Sequence, residues 1–389
     1  MSDAALTAAE RRRSLVAVIA SMAATTLIHG LTIPLLALVL NRQGVDETMI
    51  GLSTATQSLA VFVVAPVAPR LIGALGPARL MLYAIGITLV GFLLLPAFPN
   101  VYAWFPLRFA LGAASSVLWI AGEVWINQIA EDRTRGRVVG LYTAAISAGF
   151  ALGPFILVQT GSEGWTPFLV SAAIVAISAS PLLLAIKVAP VLDGRPSASL
   201  PVFLLLAPTA MLLNLVFSAV DGVLITFLPI YGLRIGLEES ASLYLIAVLG
   251  IGSLVFQPPI GWLADHMDRR LLLIICVVLL LAGAAGMPFA LGVAPWNGLY
   301  IFFFGGVFGA LYSLGVMLLG ERFQGADLAA ATTVFTVMWG IGGVIGPPTG
   351  GGGMDLWDPH GMAAAVALLL LVYLPFPLVS YLRARRGGA

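Results

Sequence analysis

Residues 14–40 read SLVAVIASMAATTLIHGLTIPLLALVL, a run that no acidic or basic side chain interrupts and in which only His29 can ionise near neutrality. About 20 apolar residues suffice for an α-helix to cross ~30 Å of hydrocarbon, where no backbone group can be left unpaired. The run is too long for the roughly 7–15 apolar residues of a signal peptide, so it reads as a transmembrane helix despite Arg11-Arg12-Arg13 ahead of it. Eleven further stretches qualify, near 49–68, 80–98, 102–126, 138–160, 166–187, 201–231, 240–264, 270–290, 295–320, 328–350 and 362–382. Composition agrees: of 389 residues 60% are hydrophobic and 10% charged, with a mean hydropathy of +1.03. That leaves too little polar surface to coat a water-soluble globule, and the net charge of +1 gives no support for nucleic-acid binding. The single cysteine, Cys276, excludes an internal disulfide.

Orientation follows from the basic residues, which collect on the cytoplasmic side. All but three of the 19 fall on one side of the predicted spans, the exceptions being Arg42 and Arg234 on the other side and Arg108 within a helix. Both termini are therefore expected in the cytoplasm, as an even helix count requires. Trp104, Trp165, Trp296 and Trp357 fall at outer helix ends and read as interfacial anchors.

The chain also repeats itself. Gly44-Val45-Asp46-Glu47-Thr48 recurs as Gly236-Leu237-Glu238-Glu239-Ser240, an offset of 236 − 44 = 192. Trp104 pairs with Trp296 and Trp165 with Trp357 at the same offset, Gly112 with Gly305 and Gly153-Pro154 with Gly346-Pro347 at 193, and Pro34 with Pro229 at 195. An offset that spans six helices preserves topology, so the halves are parallel copies related by an axis along the membrane normal. The expected organisation is an all-α membrane protein with six-helix bundles at 1–187 and 201–389, joined by a cytoplasmic loop at 188–200.

After the eighth predicted helix comes Gly261-Trp262-Leu263-Ala264-Asp265-His266-Met267-Asp268-Arg269-Arg270. This resembles motif A of the major facilitator superfamily, Gly-x-Leu-Ala-Asp-Arg-x-Gly-Arg-Arg. The resemblance implies a gate in which Asp265 and Arg269, with Gly261 and Arg270, form charge-assisted bonds that break as two halves rock. A basic loop obeying topology alone is the plainer alternative. In the first half the motif is eroded, Gly73 standing where its acid should be. Gly140, Gly149, Gly153 and Pro154 look like motif C of the drug:proton antiporter branch, and Gly342, Gly346 and Pro347 match its tail in the second half. Glycines four apart allow close helix approach and proline bends the helix, which suits an interface between the halves or plain helix packing. Leu107-Arg108-Phe109-Ala110-Leu111-Gly112 looks like motif B, an arginine within the membrane. The resemblance covers the whole chain and implies the major facilitator fold, twelve helices in two pseudo-symmetric bundles.

Intramembrane polar groups are functional candidates because they are expensive there. Asp221 is the sharpest, near the middle of the seventh helix with Asn214 two turns before it; a carboxylate in that position suits binding and release of a proton, with a structural pair as the alternative. His29, Arg108 and Glu123 fall on the first and fourth helices, with Trp119 near Glu123. Tyr312 belongs to an aromatic, glycine-rich tenth helix that favours an amphipathic or weakly charged solute. Snorkelling of Arg108 and Glu123 to water, and packing of His29 and the rings, are the plain alternatives.

Taken with the resemblance, these residues read as a secondary transporter working by alternating access, with proton-coupled efflux of a small organic solute as the leading function. A proton symporter, importing for example an organic acid held by Arg108, is the alternative within transport. A non-transporting membrane sensor or scaffold is the alternative from another class. No enzyme, cofactor or metal site is implied: no phosphate-binding Gly-x4-Gly-Lys-Ser/Thr loop and no metal-ligand cluster occurs in the sequence. The expected setting is a bacterial inner membrane, the expected partners a small-molecule substrate, protons and lipid, with no nucleic acid, and the expected state a monomer.

Overall fold

The computed structural model describes residues 7–129, 135–186, 204, 206–293, 295–323 and 325–387. Among the described residues thirteen helices follow in chain order: α1 (Ala8–Arg42), α2 (Glu47–Leu75), α3 (Pro77–Ala97), α4 (Val101–Ile129), α5 (Arg135–Thr160), α6 (Thr166–Ala185), α7 (Pro208–Arg234), α8 (Glu239–His266), α9 (Arg269–Ala290), α10 (Trp296–Arg322), α11 (Gly325–Leu356), α12 (Gly361–Tyr373) and α13 (Pro375–Gly387). The last two make one span interrupted before Pro375, whose missing N–H and fixed φ break the ladder, so the twelve expected spans are all helical. Among the described residues ten spans are long and apolar enough to cross a membrane. The other two are α5, with its apolar stretch Ala144–Thr160, and α11, diluted by Gly350 to Gly353 and Pro347-Pro348. The connecting loop 188–200 and Arg133 lie outside the described residues.

The turns show why the repeated glycines are there. Gly44 and Gly236 have φ of 73° and 90°, a left-handed conformation that costs glycine nothing. After α1, Gly44 N–H donates to Asn41 O (3.0 Å) and Val45 N–H to Leu40 O (3.2 Å); after α7, Gly236 N–H donates to Leu233 O (3.0 Å) and Leu237 N–H to Gly232 O (2.9 Å). Every partner shifts by 192, and both ends are Schellman caps that satisfy otherwise orphaned carbonyls.

Contacts divide the chain into two units. The first holds Met1–Leu36 and Thr56–Gly194; the second holds Ala37–Ala55 and Arg195–Ala389. The end of α1 and the start of α2 thus belong with the second unit, a division that the repeat boundary does not follow.

Inside each unit the same helix pairs meet at equivalent positions. In the first, a Cβ on Gly112 of α4 would lie 2.0 Å from Gln57 O of α2, and one on Gly149 of α5 would lie 2.5 Å from Ala23 O of α1. In the second, Gly305 of α10 would meet Leu249 O of α8 at 2.2 Å, and Gly342 of α11 would meet Leu215 O of α7 at 2.1 Å. The contacted residues, 57 and 249 or 23 and 215, are again 192 apart. Gly153 likewise approaches Leu27 to Leu31, and Gly346 approaches Ala219. The motif-C glycines therefore pack α5 on α1 and α11 on α7, while Pro347 beside them also meets Gly51 of α2, from the other sequence half. Pro154 and Pro347 are buried beside them. Gly140 is helical, but its surroundings lie outside the described residues.

Trp104 corrects another expectation. It is wholly buried, and its indole N–H donates to Leu95 O (3.1 Å) and Phe98 O (2.9 Å), so it closes the end of α3 instead of anchoring an interface. Trp165, Trp296 and Trp357 are exposed.

Candidate functional site

Asp221 sits at mid-length in α7, partly accessible, and has no hydrogen-bond or ion-pair partner among the described residues. Phe217, one turn earlier and so on the same face, begins an aromatic wall. Its ring stacks on Phe308 of α10 with centroids 4.5 Å apart, and lies 5.6 Å from Tyr312 and 5.5 Å from Trp339 of α11. Tyr312 in turn meets Trp339 edge-on at 6.2 Å and keeps an exposed edge. Beside it, Ser313 donates to Gln257 Oε1 of α8. A carboxylate next to flat apolar rings can hold a proton or a cationic group while the rings cover an apolar body.

Asn214 does not join this group. It is 1% exposed, and its amide donates to Phe335 O, as Ser218 Oγ donates to Trp339 O at 2.7 Å. Both side chains tie α7 to α11, spending their donors on carbonyls.

In the first unit a cavity of about 30 Å³ lies among α1, α2, α3, α4 and α6, lined by Thr25, His29, Gln57, Thr88, Ser115 and Ser178 together with apolar residues. His29 Nδ1 is 3.0 Å from Thr25 O, and Nε2 is 3.1 Å from Ser115 Oγ. A carbonyl only accepts, so Nδ1 carries the ring proton and neutral Nε2 accepts from the serine hydroxyl. This space is large enough for one or two waters, which its polar lining could hold. A larger groove of about 490 Å³ between α9 and α10, lined by Trp296, Leu299, Tyr300 and Phe303, carries no acid, histidine or base.

Arg108, two turns from Ser115 on α4, is fully covered. It cannot receive an organic acid in this arrangement. Glu123 is exposed near the other end of α4, without a hydrogen-bond or ion-pair partner among the described residues, and Trp119 one turn away is partly buried.

The motif-A segment contains the expected ion pair of Asp265 with Arg269 and adds further bonds to it. Asp268, not Asp265, caps α9, accepting from the backbone N–H groups of Arg270 (2.8 Å) and Leu271 (3.2 Å). Asp265 is exposed and only 3.7 Å from Arg269, one turn along. The Arg269 guanidinium makes its shorter bond, 2.9 Å, to Glu321 at the end of α10, and its Nε donates to Ala264 O at 3.2 Å. Gly261 has open space around it, so packing does not require a glycine there. Glu321, Trp339, Phe217 and Ser115 were not singled out in the sequence. Only Glu321 left a signal, an acid beside Arg322 at a predicted helix end.

Comparison with known proteins bears on the whole chain. The family model described as Major Facilitator Superfamily matches residues 14–305 and 211–388. The uncharacterised MFS-type transporter YfkF of Bacillus subtilis (strain 168) is 24% identical over 354 residues, covering 88% of this chain and 89% of that protein. Among solved structures, a bacterial homolog of the human lysosomal transporter Spinster, in an inward-facing and unoccupied conformation, superposes with a TM-score of 0.76 at 14% identity over 98% of each chain. A D-xylose-proton symporter superposes with a TM-score of 0.71 at 15% identity, covering 94% of this chain and 96% of that one. At such identities the structural likeness speaks to the fold alone.

Proposed function

The chain belongs to the major facilitator superfamily and is an integral, multi-pass membrane transporter, and on that premise we propose that it exports a small organic solute in exchange for protons. The observation that carries this reading is Asp221. A carboxylate in mid-span, with no cation beside it among the described residues, must be neutralised by a proton or by a cationic ligand before it can be closed off from water. Proton and solute then occupy it in alternation, which is the logic of exchange. The aromatic wall of Phe217, Tyr312 and Trp339 supports a solute with a flat apolar body. We place both termini in the cytoplasm of a bacterial inner membrane, in keeping with the side that carries most of the arginines. Import of an organic acid on Arg108 is disfavoured by that side chain's complete burial.

The test is transport by the purified protein in liposomes, using a solute first found by thermal shift against a panel of organic cations and metabolites. With an imposed pH difference, the solute should accumulate in the more acidic compartment. Asp221→Asn should abolish that pH-driven accumulation while leaving solute–solute exchange in place. Accumulation in the less acidic compartment would mean symport and end the exchange reading.

A further inference from the structure

The most densely bonded polar cluster of the described residues lies where α1 meets α2, α7 meets α8 and α11 meets α12. Arg42 at the end of α1 bonds Glu239 in the first turn of α8. Arg234 at the end of α7 bonds Glu47 in the first turn of α2. In sequence 234 − 42 = 192 and 239 − 47 = 192, so each repeat lends its arginine to the other repeat's glutamate. The pairing is reciprocal, as at a two-fold interface between identical subunits, although here both copies sit on one chain.

Further bonds converge on the same place. Arg234 also reaches Asp358 (2.7 Å) and Asn41 (3.2 Å). Asp355, at the end of α11, accepts from the backbone N–H groups of Glu47 (3.1 Å) and Thr48 (2.9 Å) and from the Thr48 hydroxyl. It therefore caps the N-terminus of α2 from another helix, satisfying donors that α2 itself leaves orphaned. Beneath the charges the backbones touch: a Cβ on Gly51 would lie 2.3 Å from Pro347 O, and one on Gly351 would lie 2.1 Å from Glu47 O. These bonds hold residues 37–55 in the second unit, although the rest of α1 and α2 belongs to the first.

We infer that Arg42–Glu239 and Arg234–Glu47 form a two-fold ionic clasp, and that Arg42 and Arg234 are positioning residues which set how often this end of the transporter opens. The inference rests on alternating access as the working mode. Its reason is geometric: α1 and α2 each run from one unit into the other, and the segment where they turn buries Leu38, Leu40 and Ile50 and is closed at its end by long-range charge pairs and a borrowed cap. Such contacts re-form without repacking, which suits a joint that opens in every cycle. The two pairs are unequal. The Glu47 side chain is 11% exposed, whereas Arg42 and Glu239 are each about 30% exposed, so water and salt weaken the Arg42 pair more.

Spin labels placed through Gln43→Cys and Glu238→Cys, both exposed positions, with Cys276→Ser as background, report the separation of the two turns in reconstituted protein by pulsed electron resonance. With the clasp intact one short distance should dominate. Arg42→Glu should add a longer component, raising the open population roughly two- to fivefold, the range for one partly exposed pair. Combining Arg42→Glu with Glu239→Arg should return the short distance. Glu47→Gln should open the joint further than Arg42→Gln does. If the reversed pair does not restore what the single reversal lost, the clasp is not electrostatic and the inference fails. It fails equally if neither single change alters the distances. Should Glu47→Gln not fold, the Arg42 series decides alone. Loss of transport in Asp221→Asn with the 43–238 distance unchanged would bear on the proposed function, not on the clasp.

Discussion

Replacing Gly112 by alanine asks whether the two six-helix copies are held by backbone contact between alternate helices. The new Cβ would sit 2.0 Å from Gln57 O and 2.7 Å from Gln57 C. Ordinary contact is about 3.5 Å, so the shortfall is roughly 1.5 Å. The obstacle is main chain on a neighbouring helix, which no rotamer change can move, so α4 and α2 must separate along their contact. Overpacking of this kind costs about 1–3 kcal/mol, and a backbone clash belongs at the upper end, about 3. Against it stands about 1 kcal/mol gained when alanine replaces glycine inside a helix, leaving a net loss of about 2 kcal/mol. At roughly 2 °C per kcal/mol for a chain of this size, the unfolding midpoint in detergent should fall by about 4 °C. Gly73→Ala is the matched control: Gly73 is exposed and helical, with nothing within 4 Å of its Cβ position, so its midpoint should stay level or rise by up to about 2 °C. Gly305→Ala, whose Cβ would meet Leu249 O at 2.2 Å, should fall by about as much as Gly112→Ala. Differential scanning fluorimetry of the three purified variants reads all of this. If Gly112→Ala melts with Gly73→Ala, the close approach of α4 to α2 does not stabilise the unit and the reasoning is refuted.

Two further changes test individual side chains. Trp104→Phe keeps most of the buried ring but removes the indole donor to Leu95 O and Phe98 O, the latter keeping only the Asn100 N–H, so it should lower stability by about 1–2 kcal/mol, whereas Trp357→Phe at an exposed helix end should cost almost nothing; equal melting points for the two would restore Trp104 to the role of interfacial anchor. Ser115→Ala removes the donor to His29 Nε2 and should cost about 1 kcal/mol, recovered in Ser115→Thr, which keeps the hydroxyl; if the threonine variant is no better than alanine, the hydroxyl–imidazole bond contributes nothing.

The helices and their duplication were legible because both are written in features that a one-dimensional reading preserves. Twelve apolar runs set the spans, and glycines recur at several places where two backbones touch or a helix ends with positive φ, as at Gly44 and Gly236. What the sequence hides is rotation. A span that is apolar on every face carries no stripe to say which side looks inward. The sequence hides depth as well: Asn214 and Asp221, seven residues apart, share one face of α7, yet one is spent on Phe335 O and the other is partly accessible, with no partner among the described residues. Arg269 and Asp265 stand four apart along the motif, while the shorter bond of Arg269 runs 52 residues away, to Glu321. Periodicity cannot supply partners of that kind, since they depend on how two helix ends meet in space.

The same distinction separates what the two copies have kept from what they have lost. Among the positions preserved at offsets of 192 and 193 are those at which a neighbouring backbone leaves no room, Gly112 with Gly305 and Gly149 with Gly342, and one at which the chain must turn, Gly44 with Gly236. Any substituent there costs stability in either copy, so both copies are held to glycine whatever else changes. Side chains that face a cavity are under no such restraint. The position matching Asp221 in the first copy, 192 residues earlier, is His29, which bonds Ser115 and Thr25, while Asp221 has no bonding partner among the described residues. Equivalent places on α1 and α7 therefore carry a neutral imidazole with both ring nitrogens occupied and a carboxylate left open. The proposed exchange asks for only one site that takes up and gives up charge, and of these two positions it assigns that role to Asp221.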